Sequence, residues 1–228
     1  MRTLYIANKN YSSWSLRPWL LMKALEIPFV EHLVFFDGLE TSSKFEQFSP
    51  SARLPFLVED DIQIWDSLAI TEFLAETYPD VWPHDQAGRA WARSACAEMH
   101  SGFQTLRNEC SMSVGVRVNL YRTSAALKSD VERIDRLWSD GLARFHGPWL
   151  AGNKFSAVDA FFSPVAFRCR TYDIALSQAS QDYVARLLAH PAMRQWEQEA
   201  LAETRRDEAH DLDVQGFGTV IKDYRVQI

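Results

Sequence analysis

The spacing of apolar residues changes near residue 80, and this change constrains the fold more than any other feature of the sequence. Before it, short apolar runs of strand length alternate with helical patterns. After it, residues 86–209 show long helix-period patterns and no convincing strand. Residues 79–85, which hold two prolines, read as a linker. The sequence therefore predicts two domains, an α/β domain at residues 1–80 and an all-helical domain at residues 86–228.

The elements of the first domain are predicted in the order strand, helix, strand, short helix, two strands and helix. A helix separates the first two strands, so we expect them to pair in parallel through a right-handed crossover. Ser15 is placed to cap the first helix, and Pro18 is tolerated because it falls in the first turn. The predicted strands are TLYIAN, FVEHLVFF, PFLV and IQIW, and the helices are LRPWLLMKALEI, SKFEQF and SLAITEFLAETY.

The second domain is predicted to contain five helices, and a tail follows them. The tail, VQGFGTVIKDYRVQI, is long enough either to fold back over a binding site or to dock elsewhere, and the sequence leaves both outcomes open. The predicted helices cover approximately residues 86–115, 123–146, 157–169, 180–189 and 191–208.

Composition and charge exclude several classes of function. The chain of 228 residues can form a sizeable core without disulfides, and its three cysteines show no metal-ligand spacing. They fit buried or idle thiols in a reducing cytoplasm. The net charge of −6 and the pI near 5.5 argue against a nucleic-acid partner. We see neither a signal peptide nor an apolar run of membrane-spanning length, so we expect a cytoplasmic protein without a metal or a membrane partner.

The loop NYSSWSLRPW, at residues 10–19, places three serines where the first strand ends and the first helix begins. Hydroxyls at a helix start can cap its free N–H groups, and the positive end of a helix favours an anion. No histidine lies in the loop to act as a base, which argues against a serine–histidine hydrolase. A loop that only shapes and caps the helix remains the alternative to a functional site.

Two further motifs accompany the serine loop. Residues 53–70, RLPFLVEDDIQIWDSLAI, join a proline before a strand to an Asp–Ser pair before a helix. Residues 149–165, WLAGNKFSAVDAFFSPV, contain a capping box at Ser156 and Asp159. In this order and spacing the three motifs resemble those of the soluble glutathione transferases, over nearly the whole chain. Within that family, the loop SSWS followed by Arg17 is most similar to the serine-type classes, which are zeta- or theta-like, and to zeta in particular.

The resemblance implies a thioredoxin-like domain that binds glutathione, followed by the family's helical domain, in a homodimer. It implies a cis bond between Leu54 and Pro55, whose turn aims the Leu54 backbone at the cysteinyl part of glutathione. It also implies that Ser67 donates to the γ-glutamyl carboxylate at a helix start and that Asp66 accepts from the amino group. A plain turn proline and a plain helix cap are the structural alternatives.

The resemblance implies a basic residue for the glycyl carboxylate of glutathione. Arg53, just before the proline, is the first candidate, because an arginine suits a carboxylate. Lys44 is a weaker candidate for the same end of the peptide. A solvated surface side chain is the alternative for Arg53. The capping box, in contrast, is implied to be structural, so a substitution of Asp159 should lower stability and folding yield.

A loop serine is implied as the hydrogen-bond donor to the glutathione sulfur. A free thiol has a pKa of about 8.5, and a donor to the charged form lowers it. Ser12 is the favoured donor, Ser13 is the second candidate, and Ser13 or Ser15 supports the sulfur or the cap. Trp14 stands where zeta has a cysteine, so a mixed disulfide with glutathione is not expected here. Arg17 is expected to shape the loop or to pair with an acid.

The acceptor site is expected between the sulfur and the first long helix of the second domain. Met99, Phe103 and Met112 would suit an apolar acceptor, and Arg107 an anionic or carbonyl one. Core or dimer packing is the alternative for the apolar residues, and His100 is expected to be structural.

The sequence thus predicts a serine-type glutathione transferase, with glutathione as co-substrate and a small electrophile as acceptor. Two alternatives stay open. One is a glutathione-dependent cis–trans isomerase similar to maleylacetoacetate isomerase, although the zeta loop is incomplete here. The other is a carrier that binds glutathione or another ligand without turnover.

Overall fold

A four-stranded mixed sheet forms the centre of the first domain in the computed structural model, which describes residues 1–226. Strand β1 (Arg2–Ile6) lies parallel to β2 (Val30–Leu33) and antiparallel to β3 (Phe56–Glu59). Strand β4 (Ile62–Trp65) completes the sheet beside β3. The order β2–β1–β3–β4 and the parallel pair confirm the predicted thioredoxin-like domain.

Helices cover the sheet and fill the second domain. Within the described residues, two of the α-helices have only six residues. The helices are α1 (Ser13–Ala24), α2 (Thr41–Glu46), α3 (Ser67–Ala75), α4 (Gln86–Ser101), α5 (Gln104–Glu109), α6 (Ala125–Phe145), α7 (Ala157–Tyr172), α8 (Gln178–Ala189), α9 (Pro191–Ala202) and α10 (Glu208–Phe217).

Helix α1 begins earlier than predicted, so the assignment of Ser15 as its cap is wrong. Ser12 is the N-cap, and its Oγ accepts from the Ser15 N–H at 3.4 Å. The Ser15 side chain instead points into the domain, where its Oγ accepts from the Ala7 N–H at 3.1 Å. Pro18 consequently falls in the second turn of α1 and not in the first, and it offers no N–H to the carbonyl of Trp14.

The helix predicted over residues 86–115 is divided into α4 and α5. The break follows Gly102, where Phe103 adopts a left-handed conformation with φ of 58°. Arg107 on α5 donates back to the carbonyl of Gly102 at 3.0 Å, which closes the corner. After this turn, Gln104 and Arg107 of α5 line the cleft between the two domains.

The expectation that residues 86–209 hold no strand is also wrong. Strand β5 (Val116–Leu120) pairs antiparallel with β6 (Gly218–Asp223), which belongs to the tail. Buried valines alternate along β5 with more exposed polar residues, the period-two pattern of a half-buried strand. The second domain is therefore helical, as predicted, with one added two-stranded sheet.

Helix α7 is the buried centre of the second domain and starts at the predicted capping box. The carboxylate of Asp159 accepts from the N–H of Ser156 at 3.0 Å and from that of Leu150 at 3.1 Å. It also accepts from the Tyr183 hydroxyl at 3.0 Å. Burial raises the pKa of Asp159 to about 6. One side chain thus joins the start of α7 to the preceding loop and to α8.

The cysteines are buried and form no disulfide, as the sequence predicts. Burial raises the pKa of Cys110 and of Cys169 to about 12 and that of Cys96 well above its usual value, so these thiols are poor nucleophiles. Among residues 1–226, no cluster of three or more metal-ligating side chains is present. No helix in this part of the chain combines the length and the apolar character needed to cross a membrane.

Asp159→Ala should lower the free energy of unfolding by about 3 kcal/mol or more, because three buried donors lose their acceptor. Asp159→Asn keeps one acceptor oxygen and should cost less. The folded-state pKa of Asp159 lies above the unfolded value of about 3.9, so wild type loses stability, relative to Asp159→Asn, as the pH rises between the two values.

Urea unfolding at about pH 4 and at about pH 7 tests this sign, and the gap between wild type and Asp159→Asn should shrink at the higher pH by about 2–3 kcal/mol. A gap that widens would show that the three hydrogen bonds keep the carboxyl ionised below pH 4.

Candidate active site

Two adjoining clefts lie between the two domains. The main cleft, of about 510 Å³, is lined by the serine loop, the segment before β3, α4, α5 and α10. The side cleft, of about 320 Å³, is lined by the proline segment and the start of α3. Trp14, Arg53, Leu54 and His100 border both clefts. The structure therefore brings together the candidate residues of two separate motifs, the serine loop and residues 53–70.

The bond between Leu54 and Pro55 is cis, as the resemblance implies. Leu54 is 8% exposed and borders both clefts. Its backbone N–H and C=O make no hydrogen bond within residues 1–226. Strand β3 begins at Phe56, immediately after the proline. An unpaired stretch of backbone thus continues an ordered strand at the edge of the clefts, where an extended ligand can pair with it.

The start of α3 offers a polar pocket to the side cleft. Asp66, with φ of 75°, is the N-cap, and its Oδ1 accepts from the Leu68 N–H at 2.8 Å. Ser67 is 1% exposed, and its hydroxyl has no hydrogen-bond partner in the described part of the chain. A buried hydroxyl without a partner at a helix N-terminus is suited to an anionic oxygen from a ligand. His100 Nε2 lies 3.3 Å from Asp66 Oδ2 across the same pocket.

The two candidate serines both line the main cleft, but their hydroxyls are bonded differently. Ser12 Oγ donates to Ser15 Oγ at 2.7 Å. Ser13 opens α1, and within the described residues its hydroxyl makes no hydrogen bond. The Ser12 hydroxyl proton is thus already donated to Ser15, whereas the Ser13 hydroxyl can rotate to donate to a ligand.

The residues just before the serines are held by the second domain. Glu203, beyond the end of α9, accepts from the Lys9 N–H at 2.6 Å and from the Asn10 N–H at 3.2 Å. Trp196 Nε1 donates to the Lys9 carbonyl at 2.8 Å. Asn10 Oδ1 accepts from the Gly115 N–H at 3.2 Å. The position of the serine loop therefore depends on contacts with residues almost two hundred positions away.

Of the two outcomes that the sequence left open for the tail, the structure shows docking elsewhere: β6 of the tail pairs with β5, and the segment just before the tail forms a wall of the main cleft. Helix α10 places His210 and Asp213 on the wall of the main cleft. The His210 ring stacks on Tyr11 with centroids 5.1 Å apart and lies 4.6 Å from the Phe36 ring. The Tyr11 hydroxyl donates to Asp211 at 3.2 Å. The first half of α10 thus forms part of the site, and within residues 1–226 the tail contacts the serine loop through Arg225, whose Nη1 donates to the Tyr11 hydroxyl at 3.0 Å.

Two arginines stack on Trp14, and a third lines the same cleft. The guanidinium carbon of Arg17 lies 4.2 Å from the centroid of the Trp14 ring, and that of Arg107 lies 4.7 Å from it. Arg168 lines the main cleft together with Arg107. Arg17 is 1% exposed and forms no ion pair within residues 1–226, so it shapes the loop by stacking and does not pair with an acid.

Burial is the main influence on these arginines, and their mutual repulsion adds to it. Burial, with a smaller contribution from this repulsion, lowers the pKa of Arg107 to about 10 and holds the pKa of Arg17 well below its usual value. A net charge of −6 for the whole chain therefore coexists with a strongly positive interior beside the serine loop.

The two basic candidates for a glycyl carboxylate are placed differently. Arg53 borders both clefts, is exposed, and has no ion-pair partner in the described part of the chain. Lys44 lies outside the lining residues and pairs with Asp37 at 3.2 Å. Of these two candidates, Arg53 is therefore the one that a ligand in the clefts can reach.

The acceptor candidates divide between cleft and core. His100, Arg107 and Met112 line the main cleft. Met99 and Phe103 belong to the hydrophobic core, so the alternative of core packing applies to these two residues.

Sequence reasoning missed Arg168, His210 and Asp213 on the walls of the main cleft. Arg168 had a usable signal, since it stands in the otherwise apolar run AFFSPVAFRC of α7. His210 and Asp213 lie in a polar segment that precedes β6, and its place beside the cleft depends on long-range contacts with Tyr11 and Phe36.

A thioredoxin-like domain with an open cis-proline edge, closed by a helical domain over a polar cleft, defines the glutathione transferase class. Sequence comparison agrees with this assignment. Residues 11–77 match the glutathione S-transferase N-terminal domain, and residues 121–199 match the glutathione S-transferase C-terminal domain. The chain belongs to the glutathione S-transferase family and is an enzyme of that family.

Individual relatives support the zeta- or theta-like character. Maleylacetoacetate isomerase of Rattus norvegicus is 28% identical over 178 residues, which cover 76% of this chain and 81% of that protein. Glutathione S-transferase theta-1 of Homo sapiens is 24% identical over 214 residues, which cover 85% and 82%. A solved glutathione transferase homolog from Burkholderia gl BGR1, with bound glutathione, has a TM-score of 0.64 and 25% identity, over 89% of this chain and 99% of that one.

Glu203→Ala should loosen the serine loop, because two buried N–H groups lose their acceptor. The free energy of unfolding should fall by about 2–4 kcal/mol, and Glu203→Gln, which keeps an acceptor oxygen, should lose less. Amide hydrogen exchange should accelerate at Lys9 and Asn10 more than in α6. Unchanged exchange at these two residues in a destabilised Glu203→Ala would contradict this role.

Proposed function

We propose that this enzyme binds glutathione across the two clefts and stabilises its thiolate with a serine of the loop, for attack on a small electrophile. The observation that carries the proposal is the juxtaposition of two unsatisfied groups, the Leu54 backbone and the buried Ser67 hydroxyl, in clefts that also hold the serine loop. Unpaired polar groups at such positions are the signature of a site built for a polar ligand.

The groups that line the two clefts fit the parts of glutathione in order. The cysteinyl backbone would pair with Leu54, as a strand adds to a sheet edge. The γ-glutamyl carboxylate would accept from the Ser67 hydroxyl at the start of α3, and Asp66 would accept from the amino group. Arg53 would meet the glycyl carboxylate. The thiol would then face the serine loop at the positive end of α1.

Ionisation of the thiol is the step that the loop serves. A free thiol with a pKa of about 8.5 is only slightly ionised at neutral pH, and each unit by which the site lowers the pKa is worth about 1.36 kcal/mol. Position in the family motif favours Ser12 as the donor. The hydrogen bonding favours Ser13, because Ser12 would have to give up its bond to Ser15. The thiolate would then form a C–S bond with the electrophile while the leaving group departs with its electron pair.

A cis–trans isomerase is the second candidate function. The relative from Rattus norvegicus is named maleylacetoacetate isomerase. A relative from Vibrio cholerae, 28% identical over 178 residues, is named as a probable maleylacetoacetate isomerase. In such a reaction the thiolate would add to a conjugated double bond and leave again after rotation, so glutathione would not be consumed. Trp14, in place of the zeta cysteine, favours the transferase over the isomerase.

The proposal includes a homodimer in a reducing cytoplasm. Strand β4 exposes Ile62 to 52% and, on its other face, Trp65 to 47%. A groove of about 610 Å³ is lined by Trp65 together with Leu68 and Ala69 of α3. An exposed apolar face of this kind on a sheet-edge domain is typical of a subunit interface. The three free thiols suit the cytoplasm, where glutathione is reduced.

One of the two loop variants, Ser12→Ala or Ser13→Ala, should raise the pKa of the bound glutathione thiol. We expect a rise of about 1–2 units and a loss of about 10–100-fold in kcat/KM, with little change in glutathione affinity. Ultraviolet difference absorbance of the thiolate during a glutathione titration measures the pKa. Ser111→Ala is the control, because Ser111 lines the same cleft without a proposed donor role.

If neither variant shifts the thiol pKa, the serine mechanism is wrong. If wild type binds glutathione without ionising it, the chain is a carrier.

Ser67→Ala should weaken glutathione binding by about 10–100-fold, because a carboxylate loses a charge-assisted donor worth about 1.5–3 kcal/mol. At saturation the pKa of the bound thiol should be unchanged, since Ser67 is not at the sulfur. Isothermal titration measures the affinity. Ser51→Ala is a matched control, because Ser51 lines the same side cleft and its hydroxyl already pairs with Ser49 Oγ at 3.1 Å. Equal losses in the two variants would remove Ser67 from the site.

A further inference from the structure

The proposed ionisation of glutathione needs a group that accepts the thiol proton. A serine hydroxyl that donates to the sulfur stabilises the thiolate, but as a donor it does not take the proton. A base for this step must lie in the main cleft beside the serine loop, with a lone pair that no other group of the protein occupies. Histidine is the side chain whose ordinary pKa suits proton transfer near neutral pH.

Among residues 1–226, two histidines line the main cleft, and the first of them is poorly placed to act as the base. His100 Nε2 lies 3.3 Å from Asp66 Oδ2, and His100 Nδ1 is buried without a hydrogen-bond partner in this part of the chain. Burial also lowers the pKa of His100, so its ring holds a proton weakly. The second histidine, His210, is therefore the better candidate.

His210 is held by Asp207 at the start of α10. Its ring Nδ1 lies 2.6 Å from Asp207 Oδ2, and its backbone N–H donates to the same oxygen at 3.2 Å. Asp207 is 6% exposed, so this carboxylate is shielded from water. A carboxylate accepts and does not donate, so Nδ1 of His210 carries a proton and the neutral ring has its lone pair on Nε2.

Two aromatic rings fix the imidazole of His210 and leave one edge open. The Tyr11 ring lies 5.1 Å from it at an interplanar angle of 23°, and the Phe36 ring lies 4.6 Å from it at 31°. Rings at these small angles cover faces of the imidazole and not its edge. The His210 side chain is 32% exposed and lines the main cleft, and within the described residues its Nε2 makes no hydrogen bond. The open edge is therefore the one that carries Nε2.

The other ionisable groups around His210 are bonded elsewhere or exposed. The Tyr11 hydroxyl donates to Asp211, and burial raises the pKa of Tyr11 to about 12, so this hydroxyl stays protonated. Asp211 also pairs with Arg225 at 2.7 Å. Asp213 lines the cleft one turn further along α10 and is exposed to solvent. Asp213 is thus a rival base that an experiment has to separate from His210.

We propose that His210, oriented by Asp207, is the base that takes the proton of the glutathione thiol. This proposal rests on the proposed glutathione-dependent function. The S–H bond breaks, its electron pair stays on the sulfur, and the proton bonds to Nε2 of His210. The Asp207 carboxylate stabilises the imidazolium, and the open edge of the ring then releases the proton to solvent. The loop serine keeps its role as the donor to the resulting thiolate.

The rate at which bound glutathione ionises tests the base. A temperature jump on the saturated complex in dilute buffer displaces the ionisation equilibrium, and the thiolate absorbance follows the relaxation. His210→Ala should slow the relaxation by about 100-fold, a typical general-base contribution, and leave the equilibrium pKa of the thiol within about half a unit. Added imidazole should restore most of the lost rate, because the variant leaves space for it beside Tyr11 and Phe36.

Three further variants sharpen the test. His84→Ala is the matched control and should leave the relaxation unchanged, because His84 forms a similar pair with Asp80 at 2.8 Å but lies outside both clefts. His210→Gln fills most of the space, so it covers the case in which His210→Ala does not fold, and it should slow the relaxation without rescue by imidazole. Asp207→Asn can still cap α10 but loses the charge that stabilises the imidazolium, so the relaxation should slow by about tenfold or more.

An unchanged relaxation in His210→Ala or His210→Gln, or a slowing in His210→Ala that imidazole does not reverse, would overturn the base. A slower relaxation in Asp213→Asn than in His210→Ala would also overturn it, in favour of Asp213. The equilibrium thiolate absorbance of wild type separates the two proposals. If it is absent, the proposed function fails and the role of His210 fails with it, whereas a thiolate whose relaxation does not depend on His210 overturns the base alone.

Discussion

The burial of α1 between the two domains is the constraint on which the rest of the structure depends. One face of α1 packs on β1 and α3, and another packs on α7 and α9. Nine of its twelve residues are buried, and Trp19 meets Trp196 of α9 with ring centroids 5.0 Å apart. Because the helix is fixed from both sides, its N-terminus and the serine loop before it are fixed too. The reactive end of the site is thus positioned by interdomain packing and not by the loop itself.

The first domain and its binding edge could be predicted because their signals are local. A proline before PFLV, an Asp–Ser pair before an apolar helix and a period-two run each depend on neighbours in the chain. The start of α1 was misplaced because Ser12 and Ser15 are both good caps, and the choice between them follows from the Ala7 N–H, which takes Ser15 as its partner. Which of two possible N-cap residues caps the helix is thus decided by tertiary contacts, and these cannot be read from the neighbouring sequence.

The cleft wall could not be predicted for a different reason. Strand β5 pairs with β6, about one hundred residues away, and α10, which leads into β6, contacts Tyr11 and Phe36 through His210. Arg168 lies in α7, whose residues are almost all buried because the helix packs on α1, α4, α8 and β5. Residues whose roles depend on long-range pairing carry no local periodicity that would single them out.

The buried arginines beside the serine loop also affect the stability of the folded chain. Buried charges without partners destabilise the folded chain, and Arg17 and Arg168 hold such charges at positions where Leu or Met would pack without that cost. Arg17 stacks on Trp14 and is not among the residues that line the main cleft. A ligand anion in the cleft is therefore attracted by the charge of Arg17 without direct contact. A negatively charged ligand binds only the folded state, and its binding therefore returns stability in proportion to the logarithm of its concentration. The ligand-free protein is expected to be less stable than its core alone would allow, because the charges that attract the ligand are the ones left uncompensated without it.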